Sequence, residues 1–252
     1  MKVHGISHAG TTRPHNEDAM TWDEELGFVA IADGMGGHQA GEVASRLALE
    51  AMLVYLRDSA TAEAQTWPFG MDPSRSLTAN RLSTALQLGN QRVLQGAEVT
   101  PKYQGMGTTV VALLAEGARV TFAGVGDSRL YAWKDGRLRQ LTKDDSWLML
   151  LANEPGMTPE LLRKHPMRNV LTNVVGAKPE LTVVISEAVL PGETLLLCSD
   201  GVHGSVPDDM MASIIGAESD LQRAARALID TAMENKSTDN VTAVLVRIDD
   251  AA

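Results

Sequence analysis

The run Phe28-Val29-Ala30-Ile31-Ala32 is almost continuously apolar, which fits a strand covered on both faces rather than one with a wet side. A shorter β-like run precedes it at residues 3–7. After a Gly-rich turn, Val43, Leu47, Met52, Leu53 and Leu56 fall near helical spacing across residues 40–57; Leu77, Leu82, Leu86 and Val93 repeat that across 76–95. These segments predict two long helices packed on a sheet. The middle of the chain predicts strands at 108–114, 118–125, 129–133 and 137–141, parted by the turn signals Glu116-Gly117, Gly126-Asp127 and Asp135-Gly136. Such tight turns join antiparallel neighbours, because a parallel pair needs a crossover of about a dozen residues or more. Residues 143–173 break the pattern with mixed helical spacing, Pro155, Pro159 and Pro166 and many charges, and read as a small helical excursion. Strands resume at 181–189, 194–198 and 241–248, with helical patterns between 207 and 235. The order predicts an α+β fold in which antiparallel sheets are covered by helices on their outer faces.

No repeat, low-complexity tract or linker interrupts the 252 residues, so a single domain spanning 1–252 is expected. Hydrophobic residues make up 44% and charged residues 21%, which separates the chain from disordered compositions. The formal net charge of -10 argues against nucleic acid as the main partner, since phosphate backbones are bound by clustered cations. No run approaches the roughly 20 apolar residues that span a bilayer, and the first residues lead into no signal-peptide core, so a cytoplasmic location without membrane attachment is expected. The single cysteine, Cys198, excludes an internal disulfide, a Cys-rich zinc site and a CxxC redox pair. Gly204 stands where a Cys-x5-Arg phosphatase would need arginine, and Cys198 reads as a buried small residue.

Four aspartates share one context: Asp33, Asp127 and Asp200 close predicted strands, and Asp239 opens one across Asn240. Aspartate at a strand end is a common turn former. Four together, each beside Gly, Ser or Asn, can instead converge from rigid platforms on one point. Convergent carboxylates repel unless cations sit among them, and oxygen-only ligands select Mg²⁺ or Mn²⁺. The spacing excludes an EF-hand loop. At the N-terminus, Arg13-Pro14-His15-Asn16-Glu17-Asp18 places a guanidinium before two further acids. Arginine grips a phosphate dianion in bidentate fashion, which would supply the other half of a phosphoester site.

The segments Gly10-Thr11-Thr12-Arg13-Pro14-His15-Asn16-Glu17-Asp18, Ala32-Asp33-Gly34-Met35-Gly36-Gly37-His38, Gly105-Met106-Gly107-Thr108-Thr109, Gly126-Asp127-Ser128-Arg129, Asn169-Val170-Leu171-Thr172, Cys198-Ser199-Asp200-Gly201 and Thr238-Asp239-Asn240-Val241-Thr242 occur in that order. In this the chain resembles the metal-dependent Ser/Thr protein phosphatases of type 2C, in their compact bacterial form. The resemblance implies a four-layer α/β/β/α sandwich with two central antiparallel sheets, and a flap at 143–173 that influences substrate choice. It implies two core Mn²⁺ or Mg²⁺ ions held by Asp33, the Gly34 carbonyl, Asp200 and Asp239, with a weaker third metal at Asp127. Glu17 and Asp18 would act through metal-bound water, and Arg13 would clamp the phosphate. Hydrolysis of phosphoserine and phosphothreonine by a metal-activated bridging water, without a covalent intermediate, would follow. The implied partners are phosphoproteins and a cognate Ser/Thr kinase with its targets, and the implied assembly is a monomer.

Three positions depart from the family pattern. Eukaryotic relatives carry histidine where this chain has Met35, and a thioether cannot donate a proton; a metal-bound water, or alternatively His38, would protonate the leaving group. Gly204 replaces a frequent Asp or Asn near one metal position, and Asp144-Asp145-Ser146 replaces Asp-His-Ser at the flap entrance. Two other readings compete. Gly126-Asp127-Ser128 with Asp200-Gly201-Val202-His203 superficially resembles a serine esterase, with Ser128 as nucleophile and His203 as base, but leaves Arg13, Asp33 and Asp239 without a role. A catalytically weak phosphoprotein-binding scaffold would have lost a core metal ligand, and Asp33, Asp200 and Asp239 are all present. The glycines of 34–41 match neither Gly-x-Gly-x-x-Gly nor a P-loop, which leaves nucleotide binding unsupported.

Overall fold

A computed structural model describes residues 1–37, 40–61, 66–152, 157–158, 161–162, 165–167 and 170–249. One sheet is ordered β1, β11, β10, β7, β8, from strands Lys2–His8 (β1), Arg129–Lys134 (β7), Arg137–Gln140 (β8), Thr194–Cys198 (β10) and Val241–Arg247 (β11). The other is ordered β2, β3, β5, β6, β9, from Asp18–Asp23 (β2), Phe28–Met35 (β3), Val110–Glu116 (β5), Arg119–Val125 (β6) and Ile185–Val189 (β9), with the two-residue β4 (Gly107–Thr108) also on β3. Every pairing is antiparallel. Asp135 and Gly136 both take positive φ, 49° and 77°, as the tight β7–β8 turn requires.

The doubly apolar strands read from the sequence are the ones that lie between layers. On β3, Phe28, Ala30 and Ala32 face the helices α1 (Ala40–Asp58) and α2 (Leu77–Val99), packing on Ala48, Met52, Leu56, Leu82 and Leu86. Val29 and Ile31 point the other way, meeting Leu195, Leu197, Val244 and Val246 of the opposite sheet. Leu196, Cys198, Ala243 and Leu245 face outward again, onto α5 (Asp208–Ala217) and α6 (Leu221–Glu234) through Met211, Ile215, Leu228 and Ile229. A period of two with both phases apolar therefore yields four layers, α/β/β/α, as expected. Deleting one of the fully buried side chains, Met52 or Leu56 for example, removes about 2 to 5 kcal/mol. Two helix starts are capped by side chains: at α2 Ser76 accepts from the Ala79 N–H at 3.0 Å, and at α6 Asp220 accepts from the Arg223 N–H at 3.0 Å.

The structure differs from the pattern reading in four places. The strand β2 went unread, because its residues are half-buried throughout and mix Asp, Thr and Trp without clean alternation. The segment 181–189 is strand only from Ile185, and 108–114 is divided at Thr109 into β4 and β5. Within 143–173 the longest helix among the described residues is α3 (Trp147–Leu151), and the segment is closed at its base by a bridge between Ser146 and Leu171. Among the described residues, no helix is long and apolar enough to cross a membrane.

Candidate active site

The acids meet where the two sheets abut at one end. Asp33 lies opposite Asp18 in the β2–β3 register, and its backbone is fixed on both sides by Thr109. The Asp33 N–H donates to Thr109 Oγ1 at 3.0 Å, and its carbonyl accepts from the Thr109 N–H at 2.8 Å and Thr108 Oγ1 at 2.9 Å. Gly34 follows at a crossing with α1, where a Cβ would run into the Gly41 carbonyl and come within 2.7 Å of the Glu17 carbonyl. Only glycine lets the strand, the N-terminal segment and the helix approach so closely. The Gly34 N–H donates to that Glu17 carbonyl at 3.1 Å.

From the other sheet, Asp200 opens the four-residue helix α4 (Asp200–His203) after β10, and Asp239 precedes β11. Asp127 follows β6 beyond Gly126, whose φ is 90°. A cleft of about 390 Å³ is lined by Asp33, Gly34, Asp127, Asp200 and Asp239, with Glu17 and Arg13 on its walls. Thus residues separated by more than 200 positions in the chain share one cavity. Asp18 lies beneath rather than in it, accepting from Ser199 Oγ at 2.8 Å and Thr242 Oγ1 at 2.6 Å and so tying β2 to the opposite sheet. His38 lies outside the described residues.

The electrostatics are those of acids crowded without compensation. Burial, then Asp239, pushes the Asp200 carboxyl up to about 6. Burial, then Asp200 and Asp144, pushes Asp127 up to about 7. Asp18 also rises to about 7 through burial, despite the opposing hydrogen bonds from Thr242 and Ser199. Asp33 is held well above the carboxylate range by burial and by Asp18 and Asp200. Arg13 is the nearby cation: its half-exposed guanidinium donates to Asp239 Oδ2 at 2.7 Å, and that hydrogen bond raises its pKa. Two buried carboxylate oxygens, Asp18 Oδ1 and Asp200 Oδ1, have no hydrogen-bond partner. Buried acceptors of this kind require a donor or a cation.

This donor set fits hard divalent cations. It is all oxygen, and Gly34 lines the cleft beside the carboxylates. Among the described residues no three such side chains are already gathered at a single point. The esterase constellation is not assembled. Ser128 is buried and shares a 2.7 Å hydrogen bond with Thr109, while His203 Nε2 lies 3.0 Å from the Asp127 carbonyl and its ring is pushed down to about 4 by burial and Arg129. Cys198 is buried, and burial raises its thiol pKa, so it is an inert core residue.

One organising residue carried no role in the sequence reading. Asn240 Nδ2 donates to the carbonyls of Ala9 and His15, each at 2.9 Å, and its Oδ1 accepts from the Glu17 N–H at 2.8 Å. It therefore brackets Arg13 and positions Glu17. The only available signal was its place next to Asp239.

Residues 4–246 match the family model of protein phosphatase 2C. The chain is 36% identical over 245 residues to the serine/threonine protein phosphatase PstP of Mycobacterium tuberculosis, covering 97% of this chain but only 44% of that relative's length. To the serine/threonine phosphatase stp of Listeria welshimeri it is 34% identical over 247 residues, covering 94% of this chain and 92% of the relative. The crystal structure of the PstP catalytic domain in complex with two manganese ions superposes with a TM-score of 0.83 at 32% identity, covering 99% and 98% of the two chains. With the family model spanning nearly its whole length and the acid cleft in place, the chain belongs to the protein phosphatase 2C family.

Proposed function

We propose that the chain is a Mn²⁺- or Mg²⁺-dependent phosphatase that hydrolyses phosphoserine and phosphothreonine in proteins, opposing a Ser/Thr kinase. The observation that carries this is the cleft in which Asp33, Asp200, Asp239 and Asp127 meet Arg13, with the buried Asp200 Oδ1 left without a protein partner. Asp33, the Gly34 carbonyl, Asp200 and Asp239 would hold two cations, and Asp127 a third and weaker one; Glu17 would orient water around them. When bound, the cations supply hydroxide near neutral pH and offset the charge of the phosphoryl oxygens.

The rest falls to the protein's own groups. Arg13, exposed at the rim and tethered through Asp239, has its remaining N–H donors free to take two phosphoryl oxygens and align the ester with the floor of the cleft. Thr109 and Asn240 hold the Asp33 and Glu17 backbones rigid, so little reorganisation accompanies reaction. Met35 lines the cleft but has no proton to give. We assign 143–173 as a flap of the one catalytic unit spanning 1–252, since Leu171 reaches the cleft wall.

Phosphate release from a phosphothreonine peptide tests the reading. Turnover is expected with Mn²⁺, and EDTA is expected to abolish it; Asp200→Asn should lower kcat/KM by about 10²-fold or more. Unchanged turnover under chelation would overturn the metal-dependent reading.

A further inference from the structure

Beside the acid cleft lies a second cavity, larger at about 600 Å³ and of opposite character. Leu94 and Ala97 of α2 form one wall, Ala177 another, and the buried Met106 contributes from between them. Met35 and Val174 line both this cavity and the acid cleft, so the two spaces adjoin across these two side chains. Gly107 packs closely on this shared wall: a Cβ there would come within 2.7 Å of Val174 Cγ1. The acidic group at the cavity is Glu98.

A phosphoprotein held by its phosphoryl group in the acid cleft must carry its flanking residues over these walls. Successive Cα atoms are about 3.8 Å apart, so a side chain two or three positions away reaches about 10 Å from the phosphorylated residue, the scale of the neighbouring cavity. A charged side chain placed there would lose its hydration among Leu94, Ala97, Met106 and Ala177, and an acidic one would also face Glu98. An apolar side chain would gain burial, and the unbranched thioethers of Met35 and Met106 adapt to more than one shape. We propose that this cavity is a substrate subsite, taking an aliphatic or aromatic side chain of the phosphoprotein two or three residues from the phosphoserine or phosphothreonine. The proposal rests on the phosphatase reading above and gives it a sequence preference.

The test compares kcat/KM, with Mn²⁺, for phosphothreonine peptides carrying Leu or Asp at each position within three residues of the phosphothreonine. Para-nitrophenyl phosphate, which has no flanking chain, runs alongside. At one position or more two or three residues away, Leu is expected to exceed Asp by at least about tenfold. Ala177→Trp and, from the opposite wall, Ala97→Trp fill the cavity, and each is expected to erase that preference while para-nitrophenyl phosphate hydrolysis stays at the wild-type level. Equal kcat/KM for the Leu and Asp peptides at every position would overturn the subsite without need of any variant. So would a Leu preference that survives both substitutions in proteins with unchanged circular dichroism. Failure of the wild-type protein to hydrolyse para-nitrophenyl phosphate with Mn²⁺ would strike the phosphatase reading instead.

Discussion

The buried Asn240 side chain joins three backbone groups of the N-terminal segment, those of Ala9, His15 and Glu17. Asn240→Ala should therefore destabilise the protein by about 2 to 3 kcal/mol, since three hydrogen bonds of about 1 kcal/mol each are lost. Because Arg13 and Glu17 lie on the segment it holds, kcat/KM should fall by about 10²-fold in the fraction that stays folded. Urea unfolding and steady-state kinetics measure the two effects; wild-type kinetics in a folded variant would refute the positioning role. The acids of the cleft were legible in the sequence, because aspartate beside glycine at a strand end leaves a recognisable trace. Asn240 and Thr109 were not, since hydrogen bonds to backbone 76 to 231 positions away leave no spacing to read. Asp18 was legible as an acid but not in its place, because its burial depends on Ser199 and Thr242 of the other sheet.

Among the elements, α2 reaches furthest along the fold, from its capped start beside β9 to the wall of the apolar cavity. Ser76 does two things there: its Oγ accepts from the Ala79 N–H and donates to Glu187 of β9 at 2.7 Å. Ser76→Ala should cost about 1 kcal/mol of stability, with activity retained, whereas Ser76→Asp should keep the cap and place a second carboxylate against Glu187. Equal urea midpoints for wild type and Ser76→Ala would remove the cap's contribution. The strands between layers were easy to read, as β3, β10 and β11 are apolar on both faces. Residues 143–173 read as more helical than the described ones among them are. Trp147, Met149 and Leu150 are exposed there, so their spacing reflects no core-facing stripe.

At the scale of the molecule, the net charge of -10 is concentrated in part at one seam between sheets. Asp18 and Asp127 ionise near 7 and Asp200 near 6 in the cation-free fold, chiefly through burial, against about 3.9 in an unfolded chain. Between about pH 4 and 7 the folded state consequently binds more protons than the unfolded one, and stability falls as pH rises through that window. In EDTA, the Tm is expected to be higher at pH 5.5 than at pH 8. Divalent cations favour the ionised carboxylates, so Mn²⁺ should raise the Tm more at pH 8 than at pH 5.5. Differential scanning fluorimetry at the two pH values decides it, and a Tm that climbs with pH in EDTA would contradict the burial of these acids.

The pairing of β1 with β11 has a consequence for the order of synthesis. The strand β11 is central in its sheet, flanked by β1 and β10, yet it comes after all the other strands among the described residues. Until it emerges, β1 has no strand partner, Asp239 is missing from the cleft, and the segment carrying Arg13 lacks the Asn240 side chain that brackets it. Contacts of such long sequence separation form slowly and late. Without β11 the chain thus carries most of its acids but an incomplete cleft, which closes only when that strand pairs with β1 and β10.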